Sequence, residues 1–182
     1  MDDMISVFPE IEEIADLELK KLTIKALELA FKKGGWNINN VQLAPVTVNW
    51  IGCSCNLIEH IRKVTQVCIS NYEKLSNFYK INKTSLDRDI VVAGALLHDL
   101  GKFTEFTIQD GKPMHSNSAF LMRHPLSGAI IAAEAGLPEK IVHLIAVHSF
   151  EGDKSNQTAE SAFVRSIDIF VFNCSVYGLE KK

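Results

Sequence analysis

The sequence is short of the features that mark secreted, membrane-spanning or nucleic-acid-coating proteins. Its four cysteines, Cys53, Cys55, Cys68 and Cys174, are too few and too unevenly spaced for a disulfide framework. Cys53 and Cys55 form a close pair, but no second pair completes a zinc ribbon, so they read as small buried or half-buried residues. Apolar runs such as IVVAGALL fall far below the ~20 residues that cross a bilayer. The opening MDDMISVFPE is acidic and lacks the basic-then-apolar order of a secretion signal, which leads to the expectation of a cytoplasmic protein. A basic excess is missing too: 19 Lys and Arg against 22 Asp and Glu leave a net charge of -3. No general field therefore draws the chain to duplex nucleic acid or an anionic membrane, although a local positive site can still hold a small anion. Only 5 prolines interrupt the 182 residues and 47% of them are hydrophobic, which suits one domain with a proper core.

Helical periodicity is what the chain has in quantity. After Pro9, apolar residues at 11, 14, 17, 22, 26, 29 and 30 predict a helix over 10–33, ended by Gly34-Gly35. Residues 36–52, with Pro45 and the alternating VTVNWI, read as an extended connection. Residues 1–50 thus form an N-terminal helix and connection packed on a main domain at 51–182. Leu57, Ile61, Val64, Cys68, Tyr72, Leu75 and Tyr79 recur every three or four residues and predict a long amphipathic helix over 55–79. Thr84 and Ser85 can cap a helix over 86–100, with Asp87 and Asp89 in its first turn and Gly101 at its end. Asp110-Gly111 within FTEFTIQDGKPMHS predicts a small hairpin or long loop, and helices follow over 125–135, 138–149 and 159–173. The class is all-α, a helical bundle with a small hairpin or loop insertion. The amphipathic N-terminal helix can serve a homodimer interface or simply cover the core.

LLHDLGK, residues 96–102, breaks the pattern by setting His98 and Asp99 at the end of the most apolar helix. A buried carboxylate is costly unless a cation faces it. His60, His124, His148 and Asp168 also lie on or beside buried helix faces. Taken singly, such residues are ordinary core or surface groups; His115, in a polar loop, and His143, on another face of its helix, stay in that class. Inward-pointing side chains from separate helices are nevertheless how bundles build metal sites.

In this order, His60, His98-Asp99, His124, His148 and Asp168 resemble the ligand pattern of the HD superfamily of metal-dependent phosphohydrolases, in its six-ligand, two-metal form. AGALLHDLGK is similar to the family's signature helix end, and NLIEHIRKV, RHPLSGAIIA and IAVHSFEGD resemble its flanking segments, so the likeness spans about 55–172. The resemblance implies an HD-domain bundle with a dinuclear centre. In it Asp99 bridges the ions, His60, His98 and Asp168 complete the first shell, and His124 with His148 hold the second ion. Two divalent ions facing two carboxylates keep a surplus of about two positive charges, which attracts phosphate. The mixed imidazole and carboxylate set suits Fe, Mn, Co, Ni or Zn without choosing among them. Lys102, three residues past Asp99, is implied as a second catalytic group that binds a phosphate oxygen or assists the leaving group; its plain alternative is a solvated lysine after a helix end. Arg123 is a further substrate-binding candidate or else a surface ion pair, and Arg62 and Lys63 are weaker ones.

The activity implied is hydrolysis of a phosphomonoester or phosphodiester, a nucleotide or related small molecule, by a metal-activated water. LDRDIVVAGALLHDLGKFTEF also resembles the HD part of certain 3′-to-5′ exoribonucleases, but the aromatic and basic interleaving of a single-strand groove is missing, which disfavours long RNA. One competing reading stays open. Inositol oxygenase and phosphonate-cleaving oxygenases share the six-ligand order, hold two irons and activate dioxygen, so the same ligands would serve C–P or C–C cleavage of a phosphonate or polyol. A purely structural metal is disfavoured because structural sites are usually closed and mononuclear.

Overall fold

In the computed structural model, which describes residues 2–81 and 85–182, the N-terminal segment is broken where periodicity predicts one helix. Helix α1 (Asp2–Val7) leads into a 3-10 turn at Pro9–Glu13, and only after an extended break does α2 (Leu17–Gly34) begin. Two local causes explain the break. Pro9 opens the tighter turn, in which Phe8, Ile11 and Ile14 are spaced by three and fully buried. The Asp16 carboxylate then accepts from the Glu18 and Leu19 N–H groups at 2.8 and 3.0 Å, capping a new helix. Leu17 is therefore exposed, while Leu19, Ile24, Leu27 and Phe31 face the core. The stretch after α2 holds a 3-10 turn at Val41–Leu43 and two isolated pairings, Pro45 with Asn56 and Trp50 with Lys181.

Helix α3 (Leu57–Ile81) packs against α4 (Arg88–Leu97), and α4 is the centre of the molecule. The cap of α4 is Asp87, whose side chain accepts from the Asp89 and Ile90 N–H groups; Ser85 lies outside the helix, and Thr84 lies outside the described residues. Every residue from Ile90 to Leu97 is buried. Each large aliphatic side chain there contributes roughly 1.5–3 kcal/mol, which helps offset the cost of holding His98 and Asp99 out of water. The helix ends at Leu97, and a turn at 98–100 leads into α5 (Lys102–Glu105). Gly101 is accordingly not a left-handed stop: its φ is -70°. Its glycine is needed for close approach, since a Cβ would lie 2.1 Å from the His124 carbonyl oxygen and 2.7 Å from Gly128 N.

The hairpin pairs β1 (Phe106–Gln109) with β2 (Lys112–His115), Phe106 standing opposite His115. Asp110 and Gly111, at φ 52° and 73°, both take the left-handed geometry that two-residue hairpin turns require. The bundle is completed by α6 (His124–Ala135), α7 (Glu139–Val147) and α8 (Ala159–Val176). One hydrophobic cluster runs from Met4 through α2 to α3, α4, α6 and α7. A second, built from Val64, Cys68, Val91, Ala95, Leu144, Phe163 and Val164, lies where α8 meets α3, α4 and α7. Among the described residues no helix is long and apolar enough to cross a membrane.

Candidate metal centre

Five helices deliver polar side chains to one point. His60 comes from the first turn of α3, His98 and Asp99 follow α4, His124 opens α6, His148 caps the end of α7, and Asp168 lies mid-way along α8. The four imidazoles and Asp99 are buried, and Asp168 is largely so. Asp99 divides the cluster. Its Oδ2 lies 3.4 Å from both His60 Nε2 and His98 Nε2, and its Oδ1 lies 3.4 Å from His124 Nε2 and 3.5 Å from His148 Nε2. Asp168 Oδ1 joins the first pair, 3.0 Å from His60 Nε2 and 3.5 Å from His98 Nε2.

The donor chemistry fits a cation. His98 and His148 each donate Nδ1–H to a backbone carbonyl one turn back, Ala95 and Ile145, both at 2.7 Å. In a neutral ring that bond leaves the Nε2 lone pair aimed at the Asp99 oxygens, an arrangement that repels unless a proton or a metal ion stands between. His60 and His98 likewise set their Nε2 atoms 3.3 Å apart. Asp99 Oδ2 is buried with no hydrogen-bond partner. Lys102 Nζ lies 2.9 Å from it without a hydrogen bond, so this oxygen keeps lone-pair capacity that a cation could use. The two groups His60, His98, Asp99 and Asp99, His124, His148 each hold ligand atoms within 4.8 Å of one another. Cys53 and Cys55, free half-buried thiols, belong to neither.

Burial opposes charge throughout the cluster, and the neighbours decide each outcome. At His98 burial pulls the pKa down, but the Asp99 and Asp168 carboxylates outweigh it and push it up to about 10. At His124 burial wins over the Glu105 hydrogen bond and the pKa falls to about 4. Burial also lowers His60, against the pull of Asp168. Although burial would raise Asp99, Lys102 and His98 hold it well below the usual carboxylate range; His98 and His60 do the same for Asp168.

Lys102 is not a solvated lysine. It is buried, its Nζ lies 2.9 Å from Asp99 Oδ2 without hydrogen-bond alignment, and it donates to the Val46 carbonyl at 3.0 Å. A cavity of about 440 Å³ opens onto the cluster, lined by Asp99, Lys102, His124, His148, Asp168 and, further along, Arg123. Arg123 forms the ion pair that its position allowed, with Nη1 2.9 Å from Glu151 and the guanidinium 4.1 Å over the Phe150 ring, and it also lines the cavity. Arg62 and Lys63 face a separate cleft, Arg62 pairing with the buried Glu10. His143 lines another cleft, and His115 stands at the hairpin 4.0 Å from Glu105.

Glu105 escapes any sequence pattern. Buried behind His124, its Oε2 accepts both the ring Nδ1–H and the backbone N–H of that residue at 2.8 Å, and these contacts hold its own pKa down against burial. A carboxylate behind a ligand imidazole fixes its tautomer and raises its basicity. Nothing about a single glutamate between Phe103 and Phe106 signals this in the sequence. Arg165, tied to Asp153, also reaches the cavity wall unannounced.

Comparison with known proteins agrees with this layout. The profile of the HD domain family matches residues 57–172. Dihydroneopterin 2′,3′-cyclic phosphate phosphodiesterase of Methanocaldococcus jannaschii is 25% identical over 157 residues, which cover 84% of this chain and 62% of that protein. The chain thus spans less than two thirds of that relative's length. No solved structure matches.

Proposed function

Because the chain belongs to the HD superfamily of metal-dependent phosphohydrolases, we propose that it hydrolyses a small phosphodiester or phosphomonoester, of nucleotide type, at a dinuclear metal centre. The observation that carries this reading is the division of Asp99, with one oxygen facing His60 and His98 and the other facing His124 and His148. With Asp168, the first set offers four donors and the second three; Asp99, Asp168, His124 and His148 line the cavity, so water and substrate can reach both sets. Two divalent ions held there, whether Fe, Mn, Co, Ni or Zn, would supply a nucleophilic water of lowered pKa and charge to the phosphoryl oxygens. The protein's own groups do the rest. Asp99 ties the two sets together. Lys102 keeps an ammonium beside Asp99 for a phosphoryl or leaving-group oxygen, and Arg123, braced by Glu151 and Phe150, offers a planar fork to phosphate.

The cavity also carries Arg165, which with Lys102 and Arg123 gives an anionic substrate more partners than a neutral polyol would find. The relative's name makes a 2′,3′-cyclic phosphate the first substrate class to try. A panel of cyclic and linear nucleotides, dihydroneopterin cyclic phosphate and nitrophenyl esters, run with each metal, should show phosphoester cleavage that Asp99→Ala abolishes, with no oxygen consumed. Oxygen uptake on a phosphonate or polyol by the iron form, with every phosphoester untouched, would replace hydrolysis by the oxygenase reading.

A further inference from the structure

Part of the cavity wall has no task in phosphate chemistry. Residues 49–51 and 180–182 run antiparallel: Ile51 N–H donates to the Glu180 carbonyl and Lys182 N–H to the Asn49 carbonyl, both at 2.9 Å. Trp50 and Lys181 are thereby paired between those two bonds, as the non-hydrogen-bonded pair of the short ladder. In that geometry the two Cα atoms stand about 4.5 Å apart and the side chains share one face. Both residues line the cavity. Helix α8 adds Ile169 and Phe172 to the same cavity, three residues apart and so on one helix face.

The two tryptophans of the chain are used differently. Trp36 is buried in the core and donates Nε1–H to the Phe103 carbonyl at 2.7 Å. Trp50 is half-buried, on an irregular connection, at the wall of a chamber whose volume falls in the range for whole small-molecule ligands rather than for a phosphate alone. An indole beside an ammonium, with a phenyl and an aliphatic side chain in the same chamber, suits a flat, electron-rich ring: the indole stacks on its face and the ammonium meets its acceptor edge or π face. A bare sugar phosphate would leave this surface uncovered.

Building on the phosphohydrolase reading, we propose that Trp50 and Lys181 form a ring-binding subsite that selects phosphoesters carrying a planar nitrogen heterocycle. The subsite acts on affinity; neither residue is among the cluster's metal-compatible groups.

Calorimetric titration of the metal-loaded protein with adenosine 5′-monophosphate, ribose 5-phosphate and adenosine tests it. Adenosine 5′-monophosphate should bind tighter than ribose 5-phosphate by roughly five- to a hundredfold, the scale of one stacked base. Trp50→Ala should bring that ratio close to one while leaving ribose 5-phosphate affinity unchanged, Trp50→Phe should keep most of it, and Lys181→Ala should reduce it less. Equal binding of the two phosphates by the unaltered protein, or a ratio that survives Trp50→Ala, overturns the subsite. Failure of the hydrolase reading looks different: adenosine still binds in a Trp50-dependent way, while ribose 5-phosphate does not bind and no phosphoester is cleaved.

Discussion

The two halves of the cluster share Asp99 and little else. The half built from His60, His98 and Asp168 is packed among α3, α4 and α8, and its three side chains face one another at 3.0–3.5 Å. The half built from His124 and His148 lines the cavity, as Asp168 also does, and is braced from behind by Glu105. Their electrostatics diverge as well: adjacent carboxylates push His98 up to about 10, whereas burial takes His124 down to about 4. Without metal, a protonated His98 and the Lys102 ammonium together face the Asp99 and Asp168 carboxylates, while His124 is a neutral imidazole that offers its lone pair. The lesson is that imidazoles of one cluster can be tuned in opposite directions, His98 by the carboxylates against it and His124 by burial.

Removing the shared residue is the severest way to break this division. Asp99→Ala should lower phosphoester cleavage by about 10³-fold or more and reduce bound metal at both positions, measured by elemental analysis of purified protein. One ion bound at full strength in that variant would show that Asp99 does not bridge. Next in size is His124→Ala, which should lower metal content from about two ions per chain to about one, whereas a chain that binds only one ion would lose none. Glu105→Gln is milder. It should weaken the second ion by roughly 10–100-fold and leave the first in place, as competition with a chelator would show. An equal loss at both positions would mean that Glu105 supports the fold rather than His124.

Protons sharpen the comparison further. Metal must displace the proton that His98 carries below about 10, so uptake at the first position should strengthen by about tenfold per pH unit across neutrality. His124 is already neutral above about 4 and should give up no proton. Calorimetry in buffers of different ionisation enthalpy counts the protons released by each ion. The smallest effect is on the metal-free fold. Because the folded pKa of His124 lies below its ordinary 6.5, the unfolded chain binds the extra proton first as pH falls. The stability His124 contributes is complete above about 6.5 and lost as pH drops through about 4, visible as a falling melting temperature; a flat profile over that window would contradict the burial argument.

The cluster that the fold assembles was legible because its six residues are polar side chains on or beside apolar helix faces, in an order that resembles the family's. Helices α3, α4, α6, α7 and α8 and the Asp110-Gly111 hairpin were readable for a related reason, that periodicity and turn chemistry are local, whereas the one-turn α5 after Gly101 is too short to show a period. The N-terminal segment was misread because Ile11 and Ile14 fit a 3-10 turn as well as an α-helix, and the cap at Asp16 decides between them. Glu105, Arg165 and the Trp50–Lys181 pair were invisible for a different reason. Their partners are assembled by the tertiary fold, and the last pair joins residues from opposite ends of the chain.

Gly101 bears no functional atom, yet it governs how far apart the two halves can sit. The backbone leaving Asp99 presses directly on the first turn of α6, which carries His124, and a methyl group at position 101 would meet the His124 carbonyl at 2.1 Å. Any side chain there acts as a wedge that drives α6 outward and takes one ligand with it. The gauge of the cluster is therefore set by an atom that is missing, and an engineer who wished to retune the spacing between Asp99 and His124 would edit position 101 before either of them.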